Sequence, residues 1–224
     1  MSDNIKHECG IAFIRLRKPL AYYIEKYRTP TYAINKLYLL MEKQRNRGQD
    51  GAGVANIKID MEPGYSYISR YRSVDPQPIP DIFDKIQRKF RKAKLEGKEK
   101  FHDAAWLKKN YGFTGEVWLG HLRYGTLGKN KLENIHPILR QNNWRSRNLV
   151  VAGNFNLTNV DELFQILLDL GQSPKEKIDT VTVLEKIGHF LDEENDKIYK
   201  QYKGKLLNNE ISKLIEKELD LGEV

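Results

Sequence analysis

Thr114–Arg123 reads Thr-Gly-Glu-Val-Trp-Leu-Gly-His-Leu-Arg, and its alternation decides the kind of fold the chain adopts. Side chains on a strand point to opposite faces with a period of two. Val117, Leu119, His121 and Arg123 therefore share one face, which begins apolar and ends ionisable. A strand has that pattern when it runs out of a core and into a site. Asn148–Asn154 (NLVVAGN) repeats it, with Val150, Ala152 and Asn154 on one face. Two strands that end in polar side chains just before turns are candidates to converge on one pocket.

Working outward, Gly10–Leu16 (GIAFIRL), Ala52–Ile59 and Tyr65–Tyr71 read as further strands. Ala33–Arg45 carries Ile34, Leu37, Tyr38 and Met41 at the spacing of an amphipathic helix, and Gly48 follows as a stop. Pro76, Pro78 and Pro80 mark a loop before a basic helix whose apolar stripe is Ile82, Phe83, Ile86 and Phe90. Asn159 with Glu162 three residues later opens a helix through Leu163, Ile166, Leu167 and Leu170 to Gly171. Two more helices are expected, from about Thr180 to Asp192 and from about Asn209 to Leu219. Strands and helices mix without strict βαβ alternation, which predicts an α+β layered fold.

Composition narrows the function. The chain has 224 residues, of which 40% are hydrophobic, enough for a packed core and too many for a disordered chain. A single cysteine excludes a disulfide scaffold and an all-cysteine metal site. No apolar run approaches the roughly 20 residues that cross a bilayer, and residues 1–8 lack a signal-peptide core. A cytoplasmic protein is the expectation, with no membrane partner. The net charge of +8 is local: Lys85–Lys109 holds ten Lys/Arg against three Asp/Glu. A solvated helix face explains that run better than a nucleic-acid site, so nucleic acid is not an expected partner.

Three constellations carry candidate chemistry. Cys9 stands at the mouth of the first strand, followed by Gly10. If residues 1–8 were removed, its own α-amine, with an ordinary pKa of about 7.7–8.0, would lie beside its thiol and act as the base. Arg47-Gly48-Gln49-Asp50-Gly51-Ala52-Gly53 lacks the Lys-Ser/Thr of a phosphate loop. It reads as a tight helix-to-strand turn whose glycines take positive φ, with Arg47 and Asp50 open to a further role. In His121-Leu122-Arg123-Tyr124-Gly125-Thr126, Arg123 offers a fork to a carboxylate and Thr126 a hydroxyl, while His121 reads as a satisfied core imidazole. The five histidines are dispersed, so no metal site is expected.

Taken in order, Cys9-Gly10-Ile11, Arg47-Gly48-Gln49-Asp50, His121 to Thr126 and Asn154 before an Asn-Leu-Thr-Asn helix start resemble the class II glutamine amidotransferases. These are N-terminal-nucleophile hydrolases. Within them the forms of the second and third motifs are most similar to the amidophosphoribosyltransferase branch. The resemblance implies a four-layer αββα sandwich, incomplete at the C-terminus, with residues 1–8 as a propeptide and 9–224 as a partial glutaminase domain. The stretch of about 60–111 is expected to be an insertion. Cys9 would attack glutamine, and the Asn154 side chain and the Phe155 N–H would hold the oxyanion. Arg123, with Tyr124 and Thr126, would bind the substrate carboxylate, and Asp179 its ammonium. Arg47, Asp50 and His121 would support the pocket.

The implied partners are glutamine and, in a C-terminal transferase domain beyond this chain, phosphoribosyl pyrophosphate with Mg2+. Ammonia would there form phosphoribosylamine for purine synthesis. No cofactor is implied for this segment, and a homo-oligomer is expected. The sequence departs from the family at Phe155, where glycine is usual and positive φ would strain a phenylalanine. It departs again at Val181, where glutamate is usual near Asp179. Two other readings stand beside this one: a glutaminase serving a sugar-phosphate or aspartate acceptor, or a non-catalytic polyanion-binding module using the basic helix.

Overall fold

The computed structural model describes residues 8–125, 131–155 and 157–222. Thr126 and all of the expected propeptide except Glu8 lie outside them. The fold is mixed, with antiparallel sheets, and the chain divides into two compact units. One comprises 1–137 with 152–154, the other 138–151 with 155–224.

In the first unit, β1 (Gly10–Arg15), β2 (Gly51–Ile57), β3 (Ile68–Ser73) and β4 (Val117–Arg123) form one sheet in the order β1-β4-β2-β3. All its pairings are antiparallel, with Gly10 opposite Leu122 and Gly53 opposite His121. Helices α1 (Leu20–Tyr27), α2 (Tyr32–Lys43), α3 (Pro78–Glu96) and α4 (Ala104–Asn110) complete it. The period-two alternation of the strands sorts the two faces of the sheet. Ala12, Val54, Trp118 and Leu122 pack with Leu37 and Met41 of α2 and Ile82, Phe83, Ile86 and Phe90 of α3. Each large side chain fully buried there contributes roughly 1.5–3 kcal/mol. A Cβ on Gly120 would reach within 2.6 Å of the Met41 Sδ, so glycine lets α2 approach β4.

Residues 60–111 supply β3, α3 and α4, and the apolar stripe of α3 lies within the core itself. Lys85, Arg88, Arg91, Lys92 and Lys94 lie on the exposed side of that helix. Helix α3 begins at Pro78 rather than after the prolines. A proline in the first turn lacks an N–H that would have no partner there anyway. The short α1 and α4 carry too little periodicity to be foreseen. The second is set by Asp103, whose carboxylate accepts the Ala105 and Trp106 N–H groups at 2.9 and 3.1 Å.

A buried polar knot ties these pieces together. Glu116, 3% exposed, accepts the Ile59 N–H at 2.9 Å and the Lys108 ammonium at 2.7 Å. Lys108 also donates to the Ile59 carbonyl at 2.6 Å. Lys58 donates to the carbonyls of Ser66 and Lys108. Burial, reinforced by the Lys108 ammonium, lowers Lys58 to about 8.

In the second unit, β5 (Ile138–Arg140) pairs antiparallel with β6 (Leu149–Val151), followed by α5 (Val160–Asp169), α6 (Asp179–Tyr202) and α7 (Asn208–Glu218). The expected strand over Asn148–Asn154 thus shrinks to three residues. Helix α6 runs ten residues past Asp192 because its polar end is packed. Asn195 is fully buried, donating to the Leu191 carbonyl and accepting from Ser146. Arg140 grips Asp192 and Glu185 on the same helix. Among the described residues, no helix is long and apolar enough to cross a membrane.

Replacing Glu116 with alanine removes the carboxylate partner of the Lys108 ammonium and of the Ile59 N–H inside the fold. Urea unfolding is expected to register a loss of about 3–5 kcal/mol. A loss below about 1 kcal/mol would show that the knot is not structural.

Candidate functional site

Cys9 directly precedes β1, half-buried and free of disulfide. Strand parity puts it on the face shared by Ile11 and Phe13, away from the helices. Gly10 faces the other way, where Gln44 sits beneath it. A Cβ at Gly10 would meet the Gln44 Oε1 at 3.1 Å, and that amide in turn donates to the Ile11 carbonyl. The register Gly10↔Leu122 brings the start of β1 to the end of β4, so Cys9 emerges beside Arg123.

The turn from Arg47 to Asp50 holds that strand end. The Asp50 N–H donates to the Arg123 carbonyl at 3.1 Å, and its carboxylate accepts the Gly125 N–H at 2.7 Å. Gly48 has an extended φ of −159°. Glycine is required there by contact, since a Cβ would lie 2.7 Å from the Arg123 main chain. Gly51 and Gly53 are likewise crowded, by Ile135 and by the His136 carbonyl, the latter at 1.9 Å from a Cβ. The expectation of positive φ in this turn is therefore corrected. Among the described residues the positive-φ glycines are Gly64, Gly171 and Gly204. Arg47 forms an exposed ion pair with Glu8 at 3.7 Å.

Arg123 donates from Nη1 to the Asn134 carbonyl, while its Nε is buried with no partner. Tyr124 is exposed. Two residues back, His121 is 1% exposed with both ring nitrogens unpartnered. It is a buried imidazole, but not the satisfied one that was expected. Its ring lies 4.6 Å from that of His136. Burial, then the neighbouring His136 and Arg123, lowers His121 to about 3. Burial, then Arg123 and Arg72, lowers His136 to about 4. Both rings are neutral near pH 7.

Asn154 is exposed and lies three residues beyond β6, so strand alternation does not place it. The chain before it is placed by a contact the sequence reading missed: the buried Gly153 N–H donates to the His136 Nδ1 at 3.4 Å. The histidine before Pro137 was the available signal. The first unit thus gathers Cys9, Arg47, Asp50, His121, Arg123 and Tyr124 around the start of β1 and the end of β4. Phe155 and Asp179 belong to the second unit. There the Asp179 carboxylate accepts the Leu157 N–H at 2.9 Å. The non-glycine residues with positive φ, among those described, are Arg28, Asp60 and Phe113, so Phe155 carries no left-handed strain. Among the described residues no three His, Cys, Asp or Glu side chains come together to hold a metal.

No family model matches the chain. Over 82 residues it is 33% identical to an amidophosphoribosyltransferase of Archaeoglobus fulgidus, spanning 37% of this chain and 18% of that relative. A solved glutamine phosphoribosylpyrophosphate amidotransferase from B. subtilis, complexed with ADP and GMP, is 25% identical with a TM-score of 0.42. That alignment covers 70% of this chain and 26% of the other. The chain is thus similar to amidophosphoribosyltransferases, as its motifs suggested, over about a quarter or less of their length.

The lowered pKa values of the two histidines carry a sign. Between their folded values and the ordinary 6.5, the unfolded chain binds more protons. Stability held above pH 6.5 is therefore lost as pH falls toward 4. His121→Phe removes two unpartnered buried nitrogens and is expected to flatten that acid loss, with little or no destabilisation at pH 7. Urea midpoints measured from pH 7 to 4 check this, and an acid loss as steep as the parent's would contradict it.

Proposed function

We propose that this chain is a glutaminase of the class II glutamine amidotransferase kind, forming part of an amidophosphoribosyltransferase. The observation that carries the reading is the register of β1 against β4. It sets a cysteine followed by glycine beside an arginine whose strand end is clasped by the Arg47–Asp50 turn. The motif order and the similarity over 82 residues agree with it.

Removal of residues 1–8 makes Cys9 the N-terminus and releases Arg47 from Glu8. The Cys9 Sγ attacks the side-chain amide carbon of glutamine while its α-amine takes the thiol proton. The oxyanion accepts hydrogen bonds from the Asn154 side chain and the Phe155 N–H. The C–N bond breaks, the α-amine returns the proton, and ammonia leaves. Water then cleaves the thioester, giving glutamate and the free thiol. Arg123 binds the substrate α-carboxylate with Tyr124 and Thr126, and Asp179 takes the α-ammonium. The whole protein would pass ammonia to phosphoribosyl pyrophosphate, displacing pyrophosphate on the way to purines. Mg2+ belongs to that acceptor step.

The four-layer αββα sandwich is part of the same reading. Ile11 and Phe13, 46% and 60% exposed, leave the β1 side of the helix-free face bare. That is the surface a second sheet would cover.

Cys9→Ser is expected to lower glutamine hydrolysis by at least about 10³-fold. Arg123→Ala should raise KM about 10- to 100-fold, the worth of a charge-assisted pair. Asn154→Ala should lower kcat by about 10²–10³. Steady-state kinetics check all three, and full hydrolysis by the Cys9→Ser protein would refute the reading.

A further inference from the structure

His136 sits at the meeting of three constraints. Its ring packs 4.6 Å from the buried ring of His121. Its carbonyl rests on Gly53, where no Cβ fits. Its Nδ1 accepts the N–H of buried Gly153, the residue before Asn154. The side chain is 6% exposed, so it has little freedom to turn away. An imidazole nitrogen accepts a hydrogen bond only when it carries no proton. Burial and the nearby Arg123 and Arg72 keep the ring neutral, and the Gly153 N–H directed at Nδ1 calls for the tautomer that leaves this nitrogen bare.

We propose that His136 is a positioning residue: through Nδ1 it fixes the backbone that carries Asn154, and so the direction in which the Asn154 amide points. The proposal rests on the reading of Asn154 as an oxyanion donor. Such a donor works only within about 2.7–3.1 Å of the developing charge. Asn154 itself is exposed and lies outside any strand, so no sheet ladder aims it. The Gly153 anchor is what holds the preceding residue. A shift of about 1 Å in a reacting geometry costs about 10²-fold in rate.

Three variants separate positioning from packing. Asparagine places its Oδ1 near the position of Nδ1 and keeps the acceptor. Leucine fills the space without one. Glutamine is polar, but carries its acceptor too far along the side chain. His136→Asn is expected to keep kcat for glutamine hydrolysis within about 5-fold of the parent. His136→Leu and His136→Gln should lower it about 10²-fold with KM nearly unchanged, because Arg123 is untouched. A simple packing role would instead favour leucine or glutamine by volume and would not single out asparagine.

Amide hydrogen exchange at Gly153 gives a readout independent of activity. It should be slow in the parent and in His136→Asn, and at least about tenfold faster in His136→Gln and in His136→Leu where that variant folds. If Cys9→Ser abolishes hydrolysis while His136→Gln keeps full kcat, the positioning role is overturned and the glutaminase reading stands. If Cys9→Ser retains hydrolysis, that reading fails. Equal Gly153 exchange in the parent and His136→Gln overturns the positioning role on its own, whatever the kinetics.

Discussion

The chemistry-bearing end of the sheet depends on backbone lying against backbone where glycines leave room. At Gly48 the turn after α2 presses on the Arg123 main chain, and at Gly53 β2 meets the His136 carbonyl. A single methyl group at either position would collide with main-chain atoms that cannot rotate away. These approaches set where Arg123 leaves the sheet, where His136 lies, and through the Gly153 hydrogen bond where the chain before Asn154 runs. Gly10 lets Gln44 tuck under the strand that Cys9 begins. The polar groups are thus placed by main chain rather than by one another.

Charge and burial are divided between the two faces of the sheet. The helix-covered face is apolar, with α2 and α3 supplying most of the filling. On the other face, Arg70 donates to the Pro137 carbonyl and Arg72 to the carbonyls of Glu133 and Ile135, strapping 133–137 over β2 and β3. His121 is buried against the inward-facing His136 ring of that strap, and neither imidazole carries its charge. Ile11 and Phe13 on the β1 edge stay bare. The two halves of one sheet face therefore differ sharply in cover.

The sequence was legible where periodicity is strong. The alternation in Thr114–Arg123 marks β4 and which residues share its site-facing side, and the stripe of Ile82, Phe83, Ile86 and Phe90 marks a core helix. It misled where a few residues have two readings. Val150, Ala152 and Asn154 look like one strand face, yet the ladder stops at Val151 and a histidine holds the next segment. The glycines of the Arg47–Gly53 turn were conspicuous, but composition does not distinguish positive φ from crowding, and crowding is the cause. The polar stretch after Asp192 resembles a helix end. Only the packing of buried Asn195, which accepts from the Ser146 hydroxyl, shows why the helix continues.

The proposed glutaminase activity requires Cys9 to become an N-terminal nucleophile in a glutamine pocket. Intact mass of the full chain, before and after exposure to a diazoketone analogue of glutamine, tests this most directly. The predicted result is loss of residues 1–8 and one covalent adduct, mapped to Cys9. A chain that begins at Cys9 yet takes no adduct, or an adduct mapped to any other residue, would contradict it.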